Sequence, residues 1–407
     1  MRSAWICFAS APYTHRAAVG AARAVLEPAG WKVDAPESAP ENGSDGTPHG
    51  HDAYVAEYDL LPFEALLGSS TPCSSYVIRK ALIRKHYLAH ALHAFAVKHR
   101  GSGDALRDVA PRTWTLDVQF ADELDELLAD DLYDLHEQLS ANEARPEAGE
   151  PLQWYILKPG MADQGNGIRL FASEEQLRAI FEEFEPDSES EEEEAEEHEE
   201  DENADTAVVA SQLRHFVVQE YITTPLLVGP PDSARKFHLR AYVICVGALR
   251  VFLHDDMLAL FATQPYTAPD EQTHDMGGHL TNTCLGTRQA RGTVPQENVF
   301  RFAQLEQAQA SVPLGSRTLH GTLTPAHMDR MRRLAAQTVG TTFEASARSA
   351  SVHWQMWPNA FEVFGVDLLV GCDAAAADAQ EGIPLEALRV WLLEVNAVCA
   401  NYMHGET

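Results

Sequence analysis

Cysteine is scarce in this 407-residue sequence, and the six present (Cys7, Cys73, Cys245, Cys284, Cys372 and Cys399) show no CxxC or Cys/His ligand spacing. Free thiols are therefore expected, and a structural zinc is not. Long apolar runs are missing too: none approaches the ~20 residues that a membrane span requires, so no membrane partner is expected. The opening stretch, MRSAWICFASAP, holds one Arg and a short mixed apolar run. It reads as a first strand and not as a secretory signal, so a cytoplasmic protein is the expectation. Positive charge is the third shortage, with 30 Lys and Arg against 61 Asp and Glu and a formal net charge of −31. That balance speaks against nucleic acid and acidic membranes as partners. Neither GxxxxGK[ST] nor a strand-to-helix GxGxxG accounts for the chain's glycine-rich stretch, WYILKPGMADQGNGIRLF, because another strand follows it.

What is present is 45% apolar residues, ordinary for a globular chain and enough for two or three domains. The negative charge is uneven, since residues 182–205 hold sixteen Asp and Glu and no Lys or Arg. Such a block repels itself and has little to bury, so a disordered insertion is expected there, about residues 185–205. Residues 34–51 and roughly 286–325 also read as loops. Residues 77–99 carry apolar side chains at helical spacing. SEEQLRAIFEEF (173–184) reads as a helix with Ser173 as N-cap and Gln176 completing a capping box. Strands are expected at 154–158, 167–171, 216–222, 236–246, 249–255, 361–370 and 390–396. Strands in pairs mixed with helices point to an α+β fold whose sheets are mixed and mostly antiparallel. There is no internal repeat.

Several residues carry chemistry. Lys158 ends a strand before Gly160, Gly165 and Gly167, and a hairpin of that kind can lay backbone N–H groups over phosphates beside a lysine. VVQEYI offers Gln219, Glu220, Tyr221 and Ile222 on an extended backbone suited to a flat purine. RKFHLR sets Lys236, His238 and Arg240 on one strand face, where they repel unless an anion lies across them. In WLLEVN, period-two alternation puts Glu394 and Asn396 on one side and Leu393 and Val395 on the other. Asp367 sits inside an otherwise apolar strand.

This ordered set resembles the tubulin-tyrosine ligase family. The resemblance runs from about Tyr76 to Asn396 outside the insertions, through YVIRKALIRK, YILKPGMADQGNGIRLF, VVQEYITTPLLV, RKFHLRAYVICV, HLTNTC, FEVFGVDLLV and VWLLEVN. It implies an ATP-grasp-like fold with flanking helices and ATP held between two subdomains. The division would be an N-terminal α/β domain at 1–75, a central subdomain at 76–215 and a C-terminal subdomain with the metal ligands at 216–407. Lys80 and Lys158 would contact ATP phosphates, Gln219, Glu220, Tyr221 and Ile222 would hold adenine, and Lys236 and His238 would reach the nucleotide. Asp367, Glu394 and Asn396 would bind Mg²⁺. Arg240 would hold a substrate carboxylate or acyl phosphate, with Thr281 and Asn282 lining the same pocket, and Arg240, Lys236 and Glu394 form the implied catalytic set. The implied reaction is ATP-dependent ligation of an amino acid, tyrosine first, to a protein carboxylate of tubulin through an acyl phosphate. Alternatives are a glutamylase-like ligase acting on another protein and an inactive ATP-binding module. A monomer is expected, with a free amino acid and an acceptor protein as partners. Two positions depart from the family pattern. His238 stands where an Asp is usual, and no Arg aligns near Ala259, for which Arg250 is the candidate replacement. The basic focus for an acidic acceptor would come from Arg79, Lys80, Arg84, Lys85, Arg235, Lys236 and Arg240.

Overall fold

Alternating burial along the expected strands resolves into three sheets in the computed structural model, which describes residues 1–38, 50–99, 109–118, 123–160, 167–184, 215–270, 273, 275–281, 298–377 and 382–397. The first sheet is parallel, with β1 (Ser3–Cys7) between β2 (Lys32–Asp34) and β3 (Ala53–Ala56). The second is antiparallel, in the order β4 (Thr113–Asp117), β7 (His215–Glu220), β5 (Tyr155–Pro159), β6 (Arg169–Phe171). The third, also antiparallel, contains β8 (Leu227–Val228), β9 (Arg235–Val246), β10 (Arg250–Leu253), β11 (Leu258–Phe261), β12 (Val299–Arg301), β13 (Gln309–Leu314), β14 (Arg317–Thr322), β15 (Phe361–Cys372) and β16 (Leu388–Asn396). The α+β, ATP-grasp-like reading is thus met by one small and one large antiparallel sheet plus a parallel N-terminal unit.

Packing explains which element goes where. β9 and β15 are long because both bury their inward side chains completely: Leu239, Ala241, Val243, Val366, Leu368 and Val370 have no exposed surface. Helix Pro325–Ser349 covers that layer with Met328, Met331, Ala335, Val339 and Phe343, a stripe at helical spacing. Thr338 Oγ1 donates to the carbonyl of Val390 at 2.8 Å and pins the helix to β16. The small sheet has its own core, where Trp114, Tyr155, Leu157, Phe171 and Phe216 meet leucines and phenylalanines of helices Glu123–Ala129, Tyr133–Ala144 and Glu174–Phe184. Ser173 caps the last of these at the N–H of Gln176, at 3.2 Å. The Gln176 side chain reaches back one residue further than expected, to the N–H of Ala172 at 2.7 Å.

Three expectations change. Residues 77–99 are not one helix: Arg84 is extended (φ −109°, ψ 118°) and separates Lys80–Ile83 from Lys85–Lys98. The segment read as a loop at 286–325 contains β12, the β13–β14 hairpin and a 3₁₀ turn at Phe302–Leu305. Helices Pro12–Leu26, Tyr133–Ala144 and Pro325–Ser349 were not anticipated. The acidic insertion at 185–205 and most of the 34–51 stretch lie outside the described residues.

Candidate active site

Strand register assembles the site. Directly paired residues in an antiparallel ladder project to the same side, and Arg240 pairs with Asp367, which in turn pairs with Glu394. The ladder then shifts: Leu368 faces Leu392, so Leu393 is an extra residue on β16. Leu393 and Glu394 together oppose Asp367, a β-bulge, and this corrects the strict alternation that had put Leu393 on the opposite face with Val395. Gly365 faces Asn396 across the same pair, and a Cβ there would lie 3.3 Å from Arg240 Cδ. The missing side chain gives Arg240 its room.

Asp367 is buried, and Arg240 grips it from two points, through Nε to Oδ1 and through Nη2 to Oδ2 at 2.8 Å. His238 Nε2 lies 3.4 Å from Oδ1, and the other nitrogen of that ring, Nδ1, meets Thr281 Oγ1 at 2.6 Å. Burial alone would raise the Asp367 carboxyl, but His238 and Arg240 hold it far below the usual carboxylate range. Asn396 turns its amide toward both acids, with Nδ2 3.4 Å from Asp367 Oδ2 and 3.3 Å from Glu394 Oε1. A half-turn of the amide presents its oxygen to the same point. Among the described residues no three His, Cys, Asp or Glu side chains converge on a ready metal site. Two carboxylates and an amide oxygen nevertheless suit a hard cation such as Mg²⁺, which fills its remaining positions with phosphate and water.

The small sheet supplies the opposite wall. Lys158, on β5, donates to Gln219 Oε1 at 2.5 Å, and Gln219 Nε2 donates to Thr113 Oγ1 at 3.0 Å. Burial lowers Lys158 to about 8, with Glu394 and Asp367 pulling it up and Lys85 pushing it down. Lys85 Nζ itself reaches Glu394 Oε2 at 3.4 Å. Lys236 is buried on β9, donates to the Tyr221 hydroxyl at 3.1 Å and lies 4.4 Å from the centre of its ring. Burial, reinforced by Lys158, brings Lys236 down to about 7. Lys158 thus faces the carboxylate pair from the other sheet, and Lys236, on the same sheet as the acids, lies close enough to feel the charge of Lys158.

Beside them is a buried apolar cluster. Tyr221 packs with Trp154, Ile156 and Leu280, flanked by Tyr266 and Met276. The Tyr221 hydroxyl meets His279 Nδ1 at 2.9 Å, and burial followed by the nearby Lys236 lowers His279 to about 4. The N–H groups of Glu220 and Tyr221 are donated to the carbonyls of Arg112 (2.9 Å) and Trp154 (2.8 Å). Backbone hydrogen bonds to a purine must therefore come from carbonyls or from residues beyond Tyr221. Glu220 is half-buried, which raises its carboxyl against the pull of Arg112, and Ile222 is half-buried as well.

Not every expected residue joins this centre. Lys80 is exposed at the start of its short helix, and Asn282 and Gly165 lie outside the described residues. Ala259 is a fully buried core residue on β11, facing Leu239, so no cation could stand there without repacking. Arg250 does not replace one: it faces Val246, six residues along β9 from Arg240, or about 20 Å. Arg79 is committed to buried Glu362 at 2.7 Å, and Arg235 to Asn298 at 2.6 Å. Sequence reasoning missed the roles of Lys85, Tyr266, His279 and Thr113. Two of them left a signal: Lys85 as the last residue of the quoted YVIRKALIRK, and His279 as the first of HLTNTC.

Comparison with known proteins adds a second line of observation. The profile of the tubulin-tyrosine ligase family matches residues 70–398. A probable tubulin–tyrosine ligase of Schizosaccharomyces pombe is 35% identical over 346 residues, 84% of this chain and 75% of that protein. The probable tubulin–tyrosine ligase PBY1 of Saccharomyces cerevisiae is 34% identical over 330 residues, covering 78% of this chain but 40% of that protein. Among solved structures, the C-terminal domain of Pby1 from K. lactis is 28% identical with a TM-score of 0.60, covering 99% of this chain and 88% of that one. It is described as an ATP-grasp enzyme interacting with the mRNA decapping enzyme Dcp2.

Proposed function

This chain belongs to the tubulin-tyrosine ligase family and carries that family's ATP-dependent ligase fold, and from that premise we propose that its cleft binds Mg·ATP and joins an amino acid, tyrosine first, to a carboxylate of an acceptor protein, tubulin first. The observation that carries the reading is the opposition of Lys158 to Asp367, Glu394 and Asn396 across the cleft, with Lys236 near Lys158 on the wall that carries the acids. When bound, Mg·ATP would supply its γ-phosphoryl group to the acceptor carboxylate and leave as ADP, and the amino group of the incoming amino acid would then displace phosphate to form the amide.

The residues of this chain do the positioning. Lys158 and Lys236 supply positive charge from two walls, and the polyphosphate relieves the cost of burying both. Asp367, Glu394 and Asn396 offer oxygens to the metal. Arg240 spends two of its five N–H donors on Asp367, which fixes the plane of its guanidinium beside the place where the acceptor carboxylate is activated. The apolar cluster around Tyr221 offers the surface against which the adenine ring packs.

Lys158→Ala should fold normally, because its ammonium contributes charge and not core contact. It should weaken ATP by about 1.5–3 kcal/mol, the range for a charge-assisted hydrogen bond, or roughly tenfold to a hundredfold in a calorimetric titration. The activity itself is tested by incubating the chain with ATP, Mg²⁺, labelled tyrosine and tubulin lacking its terminal tyrosine. Label on tubulin that depends on all components is the expected result. A second reading keeps this chemistry and changes the acceptor, favoured by the K. lactis neighbour's description as a partner of a decapping enzyme. Label on a non-tubulin protein in cell extract, with tubulin unlabelled, would select it.

A further inference from the structure

Away from the cleft, helix Pro325–Ser349 and the start of β16 enclose a groove of about 540 Å³, within the range of ligand-binding clefts, ~300–1,000 Å³. Arg330 and Arg333 line it from the helix, one turn apart, and Arg389 lines it from the strand, while Leu334 and Leu385 supply apolar wall and Glu386 sits at the edge. Arg389 is pinned, donating to Asp373 Oδ2 at 3.0 Å and to the carbonyl of Glu386 at 2.7 Å. Arg330 and Arg333 meet no carboxylate among the described residues. The other arginines on that helix behave differently: Arg332 pairs with Asp329 at 3.1 Å and Arg348 with Glu344 at 3.1 Å.

In a chain with twice as many acids as bases, two neighbouring arginines that face a groove and pair with no carboxylate among the described residues are notable. Like charges three residues apart on a helix repel, so the arrangement costs stability unless an anion is bound. The groove, at about 540 Å³, is larger than one small anion fills. Apolar wall between the charges fits side chains interleaved with acids. Among the described residues the lining holds no aromatic ring on which a base could stack, and the overall charge opposes a polyphosphate chain.

We propose that the groove between helix Pro325–Ser349 and the start of β16 is a docking site for an acidic peptide segment of a partner protein, held by Arg330, Arg333 and Arg389. The probe is a fluorescein-labelled ten-residue peptide of alternating Glu and Leu, titrated with the full chain at low salt and read by anisotropy. The double variant Arg330→Gln/Arg333→Gln should bind it at least about tenfold more weakly, as loss of two interfacial charge contacts implies. Arg332→Gln/Arg348→Gln removes the same charge from the same helix outside the groove and should stay within about twofold of the unmodified chain. Should the first double variant not fold, Arg333→Gln alone gives the same reading, because that side chain is exposed. Equal weakening by both pairs, unchanged binding in the groove variants, or tighter binding of a single-stranded RNA oligonucleotide than of the peptide would overturn the proposal.

Discussion

Asp367→Asn is expected to destabilise the chain by about 3–5 kcal/mol, the range for removing one partner of a buried ion pair. The substitution is nearly isosteric, so packing is not the cause. Arg240 is itself buried, its guanidinium is fixed on both oxygens of Asp367, and the amide removes the negative charge that faces it there. The adjacent His238 loses its carboxylate as well. Denaturant unfolding measures the loss. The double variant Asp367→Asn/Arg240→Gln should recover most of it, since the charge that faced the carboxylate is gone. A single variant as stable as the unmodified chain would mean that Arg240 is satisfied by other groups and that the pair does not organise the site.

Lys236→Met is expected to act in the opposite sense on stability and to be damaging for the ligand. Burial lowers Lys236 to about 7 from an ordinary 10.5, so between those pH values the unfolded chain binds more protons than the folded one. Stability conferred by the wild-type side chain therefore rises with pH across that window, and its penalty is complete below about 7. Methionine removes the penalty: the variant should gain stability at pH 6, and the gain should vanish by about pH 10.5, where the lysine is neutral in both states. ATP affinity should meanwhile fall by about 1.5–3 kcal/mol or more, because a phosphate-facing ammonium is lost from a site that excludes water. In the unmodified chain, the phosphates raise the lysine again, so ATP binding near pH 8 should take up a proton. Calorimetry in buffers of different ionisation enthalpy reads that uptake. Proton release on binding would place Lys236 away from the phosphates, and a variant that gains no stability over the unmodified chain at pH 6 would contradict the burial of its charge.

The strands that carry the site were legible because their apolar alternation is strong and their polar interruptions are few. Asp367 in FEVFGVDLLV and Glu394 in WLLEVN stand out on that ground alone. Sequence treats these two acids as equivalents, and register separates them: Asp367 is buried against Arg240, while Glu394 is half-buried and meets only Lys85 and Asn396 among the described residues. A bulge at Leu393 was not legible, since one extra residue leaves no compositional trace and depends on what lies across the ladder. The same limit hid the tie between Tyr221, His279 and Lys236, three residues brought together by different elements. Helix Pro325–Ser349 was missed although Thr324 and Pro325 mark its start. Its buried face mixes Val339 and Phe343 with Met, Ala, Thr and Ser, a diluted hydrophobic signal that becomes core because β15 and β16 lie beneath. The segment at 286–325 misled for the converse reason: its strands are short and rich in polar residues, and pairing with β8 and β11 makes them strands.

The most direct test of the central claim is an ATP titration of the unmodified chain and of Glu394→Gln across a series of Mg²⁺ concentrations, followed by calorimetry. Glu394 is half-buried and its amide replacement keeps size and hydrogen-bonding capacity, so both proteins should melt alike. The unmodified chain should bind ATP more tightly as Mg²⁺ rises, and the variant should lose most of that gain together with amino-acid transfer. Identical binding of Mg·ATP by the two proteins across the whole series would contradict the account, leaving the end of β16 a structural strand and the ligase without its metal.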